Sequence, residues 1–226
     1  MRPVWIALGA VTFLGACSST GTSPVFTAIK SVVLPSKEDT APTGPRVELT
    51  RERIVQNGLA MVRARIEGEE ISNILSATSL NGGYVTYVSG FRQSITMLGT
   101  LVTATRGLGG DLLSVRHAPN DPVATLTKPA DWPARITRDY RFPGTGPAGN
   151  VVTVSCDIAA AAPTSITIVE ITYDVTPFTE TCSGDGVSFT NTYLADRTGQ
   201  IWQTRQWVGD KVGYLNLEVL EPFTAD

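Results

Sequence analysis

Polar residues alternate with apolar or β-branched residues along most of the chain beyond residue 59. This period of two is typical of β-strands that turn one face toward a core. Turn sequences such as Asn81-Gly82-Gly83 and Asp196-Arg197-Thr198-Gly199 separate the alternating segments. The pattern predicts strands over residues 59–66, 70–80, 84–89, 94–105, 112–116, 134–142, 150–160, 164–183, 187–196, 200–209 and 214–222.

A short helix is predicted just before the first strand. Thr50 is a typical N-cap residue, and Asn57-Gly58 is a typical helix end. Beyond Tyr84 no segment shows a convincing helical period. Strands this numerous must close or stack to cover their edges. We therefore predict a mainly all-β protein, an antiparallel β-meander closed or curled into a barrel-like fold, with one short N-terminal helix.

The N-terminus resembles that of an exported lipoprotein. Arg2 precedes an apolar run over residues 4–14, which is shorter than the ~20 residues that span a bilayer. Leu14-Gly15-Ala16-Cys17 resembles a bacterial lipobox, whose cysteine becomes the acylated first residue of the mature protein. Two or more acyl chains, palmitate among them, would make the anchoring stable. An ordinary signal peptide with a chance or buried cysteine is the alternative.

These features predict three regions: a signal peptide over residues 1–16, a lipid-anchored flexible tether over 17–47, and a single antiparallel β-domain over 48–226. The tether is assigned because residues 18–46 are rich in Ser, Thr, Gly and Pro. Ser18 stands where an aspartate would favour inner-membrane retention. We therefore expect the protein at the outer membrane, facing the periplasm.

Charge and composition argue against several classes of function. The net charge of -3 gives no support for nucleic-acid binding. His117, the single histidine, lies in a turn-like segment, so a Ser-His-Asp triad is not supported. The glycine-rich segment 106–111 precedes no helix with Lys and Ser or Thr, and we interpret it as a turn rather than a phosphate loop. We expect no metal and no cofactor.

Carboxylate pairs of the kind used by glycoside hydrolases remain open at this point, because partners meet only in the fold. Asp111, Asp139, Glu170 and Asp196 are available. Glu170 is the strongest candidate, since it lies within a predicted apolar strand. Solvent exposure or pairing with an arginine is the alternative, and we predict no catalytic residues.

Cys156 and Cys182 remain as an even pair once Cys17 is acylated. Both lie in predicted strands of a protein exported to an oxidising compartment. We predict that they form a disulfide, with two free thiols as the alternative.

Aromatic side chains of the predicted C-terminal hairpin suggest a binding surface. Successive side chains of a strand point to opposite faces, so Trp202 and Trp207, five positions apart, lie on opposite faces of their strand. We therefore expect one to be buried and the other exposed. Tyr193, Trp202 and Trp207 are therefore candidates for glycan or partner binding, with core packing as the alternative.

Several segments together resemble the YjbF/GfcB family of bacterial lipoproteins, across roughly residues 48–222. They are the lipobox, the two later cysteines, TLVTATRGLGGDLLSV at 100–115, ADWPAR at 130–135 and FTNTYLADRTGQIWQTRQWVG at 189–209. Members are encoded with exopolysaccharide or group 4 capsule genes. The resemblance implies a mainly antiparallel β fold and an outer-membrane location, and it supplies no catalytic residues.

We therefore predict an outer-membrane lipoprotein that assists exopolysaccharide or capsule secretion or assembly by binding protein or glycan, without catalysis. Expected partners are the membrane, through the lipid anchor, the exopolysaccharide and other export proteins. The alternatives are a polysaccharide-modifying enzyme such as a glycoside hydrolase, and a structural envelope lipoprotein.

Overall fold

A computed structural model describes residues 49–145 and 149–224. Its first element is helix α1, Arg51–Asn57. The Thr50 side chain accepts a hydrogen bond from the Arg53 backbone N–H, and Gly58 ends the helix in a left-handed conformation. The predicted N-terminal helix and both of its end signals are confirmed.

Thirteen antiparallel strands and one further short helix follow in the described residues. The strands are β1 Met61–Ile66, β2 Asn73–Asn81, β3 Tyr84–Ser89, β4 Ser94–Leu98, β5 Leu101–Arg106, β6 Ser114–His117, β7 Arg135–Phe142, β8 Asn150–Ala160, β9 Thr164–Ile168, β10 Ile171–Gly184, β11 Val187–Ala195, β12 Ile201–Trp207 and β13 Tyr214–Glu221. Helix α2, Pro122–Thr125, and a 3₁₀ turn, Pro129–Asp131, lie between β6 and β7.

The strands form one nearly closed, barrel-like sheet in the order β5-β4-β3-β2-β1-β13-β12-β11-β10-β8-β7-β6. Strand β9 pairs only with β10, outside this path. The two ends of the path come together where the Thr105 N–H donates to the Leu112 carbonyl at 2.9 Å. The predicted all-β, barrel-like fold is confirmed, and its edges are covered in this way.

Two of the predicted strands are each divided by a tight turn. The predicted strand 94–105 breaks at Gly99 and Thr100, and the predicted strand 164–183 breaks at Val169 and Glu170, which both have positive φ. Polar and apolar residues alternate on both sides of each turn, so the alternating pattern does not reveal where the turn lies. Helix α2 lies in the part of the chain beyond Tyr84 where the sequence shows no convincing helical period. Its four residues are too few to show one.

The disulfide joins two neighbouring strands of the sheet. Cys156 on β8 is directly opposite Cys182 on β10, and both residues are fully buried and bonded to each other. Strand β9 folds out of the barrel, which allows β8 and β10 to become neighbours. The predicted pairing is therefore present between strands that are not consecutive in the chain.

The predicted signal peptide, tether and acylated Cys17 lie outside the described residues. Within those residues, no helix has the length and apolar character needed to cross a membrane.

We predict that replacing both cysteines, Cys156→Ala with Cys182→Ala, lowers the free energy of unfolding by about 3–4 kcal/mol. The expected loss follows from releasing a loop closed across 26 positions, which restores entropy to the unfolded chain. Urea unfolding of the double variant and of the wild-type protein measures the difference. An unchanged unfolding midpoint would show that the crosslink contributes nothing to stability.

Candidate functional site

Three charged side chains meet inside the barrel. Arg138 on β7 donates to both carboxylate oxygens of Asp121, from Nε to Oδ2 at 2.6 Å and from Nη2 to Oδ1 at 3.0 Å. Its Nη1 donates to Glu180 Oε2 on β10 at 2.7 Å. All three side chains have no exposed surface. We call these three residues the interior ionic cluster.

Neutral side chains extend the cluster to β11. Glu180 Oε2 also accepts hydrogen bonds from Tyr193 Oη at 2.8 Å and from Asn191 Nδ2 at 2.7 Å. Asn191 Oδ1 in turn accepts from the backbone N–H of Trp207 at 2.8 Å. Glu180 Oε1 is buried without a hydrogen bond from the described residues. One carboxylate oxygen thus connects strands β7, β10 and β11.

The surroundings of Arg138 and Tyr193 raise the pKa of each. Burial alone would lower the pKa of Arg138, but the nearby Glu180, Tyr193, Tyr140 and Asp121 outweigh it and hold that pKa well above its usual value. Burial, with the charge of Glu180, raises the pKa of Tyr193 well above its usual value. Arg138 therefore stays charged and Tyr193 stays protonated, so each remains a hydrogen-bond donor at neutral pH.

The interior ionic cluster also fixes helix α2. Asp121 is its N-cap, and Oδ1 accepts from the Val123 N–H at 3.1 Å while the carboxylate binds Arg138. The turn between β4 and β5 lies against this helix, with the Thr100 N–H donating to the Val123 carbonyl at 3.1 Å. Gly99, at φ +56°, permits this approach, because a Cβ there would lie 2.6 Å from the Val123 oxygen.

A cavity of about 480 Å³ opens beside α2 at this end of the barrel. A second cavity, of about 510 Å³, adjoins it at Leu80, Pro222 and Phe223 and extends to helix α1. Together they form what we call the apolar cleft, whose lining includes Leu80, Val85, Tyr87, Met97, Ala124, Leu126, Val219 and Phe223. Each volume is in the range of small-molecule sites.

Ionisable groups are scarce in the apolar cleft. Among the described residues its lining contains one tyrosine, Tyr87, and one carboxylate, Glu221. Burial raises the pKa of Tyr87 to about 12. Glu221 is ion-paired with Arg51 of helix α1. The lining of the cleft therefore has few groups that exchange protons near neutral pH.

The aromatic residues predicted to bind a glycan lie in the core instead. Exposed fractions are 0% for Tyr193, 8% for Trp202 and 7% for Trp207, so the prediction that one tryptophan is exposed is wrong. Trp202 stacks on Tyr173, which extends beyond the barrel on the β9–β10 hairpin, and Trp207 stacks on Phe189. Both tryptophans of β12 are thus covered, and none of the three aromatic residues lines the apolar cleft.

The four predicted carboxylates have separate local partners. Asp111 accepts from the Gly107 and Leu108 N–H groups, which agrees with a glycine turn at this segment. Asp139 binds Arg116 and Thr153. Asp196 accepts hydrogen bonds from Thr198 and Trp202. Glu170 accepts one from the backbone N–H of Arg51. Glu170 is exposed at the turn between β9 and β10, so its expected place within an apolar strand is wrong.

The interior ionic cluster was missed from the sequence, although a signal for it exists. Arg138 occupies the inward position between the buried Ile136 and Tyr140, and Glu180 occupies the inward position between Phe178 and Cys182. A charged residue in phase with the core positions predicts a buried partner of opposite charge.

Potential metal-ligand atoms come within 4.8 Å of one another at Cys156, Glu180 and Cys182. The two sulfurs, however, are joined in the disulfide.

The model of the group 4 capsule polysaccharide lipoprotein family, gfcB or YjbF, matches residues 25–220. The chain belongs to this family. Membership gives this YjbF-family lipoprotein a role in capsule or exopolysaccharide production. No curated protein sequence matches the chain.

A solved structure shares the fold of this YjbF-family chain. The crystal structure of the hypothetical lipoprotein YmcC from Escherichia coli (K12) aligns with a TM-score of 0.71. The alignment covers 91% of this chain and all of the other, at 17% sequence identity. At that identity the likeness establishes the architecture alone.

We predict that Arg138→Met lowers the free energy of unfolding by about 3–5 kcal/mol, because it leaves Asp121 and Glu180 as uncompensated buried charges. Urea unfolding measures the loss. The matched control is Arg135→Ala, which removes an arginine of the same strand whose ion pair with Asp157 is exposed to solvent. A loss for Arg138→Met no larger than the control's would contradict a structural role for the interior ionic cluster.

Proposed function

We propose that the protein assists secretion or assembly of a capsule-type exopolysaccharide by binding, without making or breaking covalent bonds. In this proposal the acylated Cys17 anchors it to the outer membrane, on the periplasmic side, and residues 17–47 separate the β-domain from the lipid surface. Family membership supports the link to the polysaccharide. The lipobox and Ser18 support the location.

The scarcity of ionisable groups in the apolar cleft is the observation that carries the proposal. A general acid or base needs a pKa near the working pH, whereas the pKa of Tyr87 is about 12. Glycoside hydrolysis uses two carboxyl groups on either side of the bond that breaks. Within the described residues the cleft supplies one, Glu221, which Arg51 already binds.

The charged groups that do converge support the same conclusion. Arg138 lies within hydrogen-bond distance of both Asp121 and Glu180, and charged groups of a catalytic site often converge in this way. Their side chains have no exposed surface, so a polymer substrate does not reach them. We assign them to holding strands and helix α2 together, which leaves accessible surfaces suited to binding.

Deleting the gene is expected to lower the amount of extracellular polysaccharide, and the wild-type gene is expected to restore it. A Cys17→Ala version should fail to restore it, because the protein then lacks its acyl chains and leaves the membrane. Ser18→Ala is the matched control, since it changes the neighbouring position and keeps the acylated sulfur. Polysaccharide is measured in the culture medium and on the cell surface.

Two results would contradict the proposal. One is a deletion strain with normal amounts of extracellular polysaccharide. The other is shortening of the purified polymer when it is incubated with the purified protein, measured by size-exclusion chromatography, which would favour a polysaccharide-modifying enzyme.

A further inference from the structure

A second concave surface lies on the outer face of the barrel, where β1, β13 and β12 are adjacent. Two rows of polar side chains cross it: Arg63, Glu218 and Gln203 form one, and Arg65, Asn216 and Arg205 form the other. The loop after β1 adds Glu70 at the side and leaves a cavity of about 460 Å³. We call this surface the polar groove.

Part of the polar groove is rigid because its side chains bind one another. Glu218 accepts hydrogen bonds from Arg63 and, at 3.0 Å, from Gln203 Nε2. Next to them, Arg205 lies 3.3 Å above the ring of Tyr214 and donates to Glu67 at 2.9 Å. Side chains that are already ordered lose less conformational entropy when a ligand binds.

Other groups in the polar groove retain hydrogen-bonding capacity. Asn216 lies at the centre, between Arg65 and Arg205, and its amide has no hydrogen bond with the described residues. Arg65 is exposed, and its Nη1 donates to the backbone carbonyl of Glu69 at 3.3 Å. An amide and a guanidinium thus offer several donors and one acceptor to a ligand in the groove.

The charges in the polar groove balance. Arg63, Arg65 and Arg205 are matched by Glu70, Glu218 and Glu67, the last of which binds Arg205. The groove is therefore not suited to a strong polyanion such as a nucleic acid. It presents donors and acceptors side by side, which suits a ligand whose groups do both. Sugar hydroxyls donate and accept hydrogen bonds at short, regular spacing along a polymer.

We propose that the polar groove is a glycan-binding site, which takes a segment of a neutral or weakly charged polysaccharide with Asn216 and Arg65 as its main contacts. This inference rests on the proposed function and adds to it the class of ligand and the surface that binds it.

The test uses the extracellular polymer purified from the strain that encodes the protein. In native gels that contain this polymer, the wild-type protein is expected to be retarded. The Asn216→Ala and Arg65→Ala variants should need at least about tenfold more polymer for equal retardation, the factor expected from losing one good hydrogen bond to a polar or charged group. The control, Arg135→Ala on β7, should behave as wild type, and added salt should change wild-type retardation little.

Equal retardation of the groove variants and the wild type would overturn the inference, and so would a wild-type protein that the polymer does not retard. Thermal unfolding of each variant shows whether it is folded. Complementation separates the two proposals: full restoration of polymer by Asn216→Ala would reject the polar groove alone, whereas normal polymer in the deletion strain would reject the proposed function itself.

Discussion

The guanidinium of Arg138 is the constraint on which the interior of the barrel depends. A buried cation is tolerated only where carboxylates and other acceptors satisfy its donors, and here Asp121 and Glu180 do so from a loop and a strand that are far apart in sequence. Removing Arg138 would leave two buried carboxylates without their cation, and removing either carboxylate would leave Arg138 with fewer acceptors. The requirement therefore selects a single arrangement of β7, β10 and the loop between β6 and β7.

That arrangement determines the shape of the surface. Asp121 caps helix α2 while it binds Arg138, and α2 provides one wall of the apolar cleft. Three charged groups thus lie where solvent does not reach, and the cleft next to them is largely without ionisable groups. The polar groove on the outer face differs, because its charged groups are at least partly exposed and their charges balance. Arg65 and Asn216 there have hydrogen-bonding capacity left for a ligand.

The sequence predicted what depends on local pattern. Thr50 and Gly58 marked the first helix, and alternation located nearly all the strands, because each signal involves neighbouring residues. Tight turns such as Val169-Glu170 were missed because alternation continues through them. The prediction that one of Trp202 and Trp207 is exposed was wrong, because Tyr173, from a hairpin outside the barrel, covers Trp202 and Phe189 stacks on Trp207. The partners of Arg138 and the two rows of the polar groove depend on which strands become neighbours, and a single sequence does not specify that order.

The central claim, that the interior ionic cluster fixes helix α2 and the wall of the cleft, is tested most directly by amide hydrogen exchange in Arg138→Met. The amides to follow are Thr100, which donates to Val123, and Thr125, which donates to Asp121. They are predicted to lose more protection than the amides that pair β1 with β13, because α2 would open locally while the distant strands stay paired. Equal loss of protection in both places would contradict the claim.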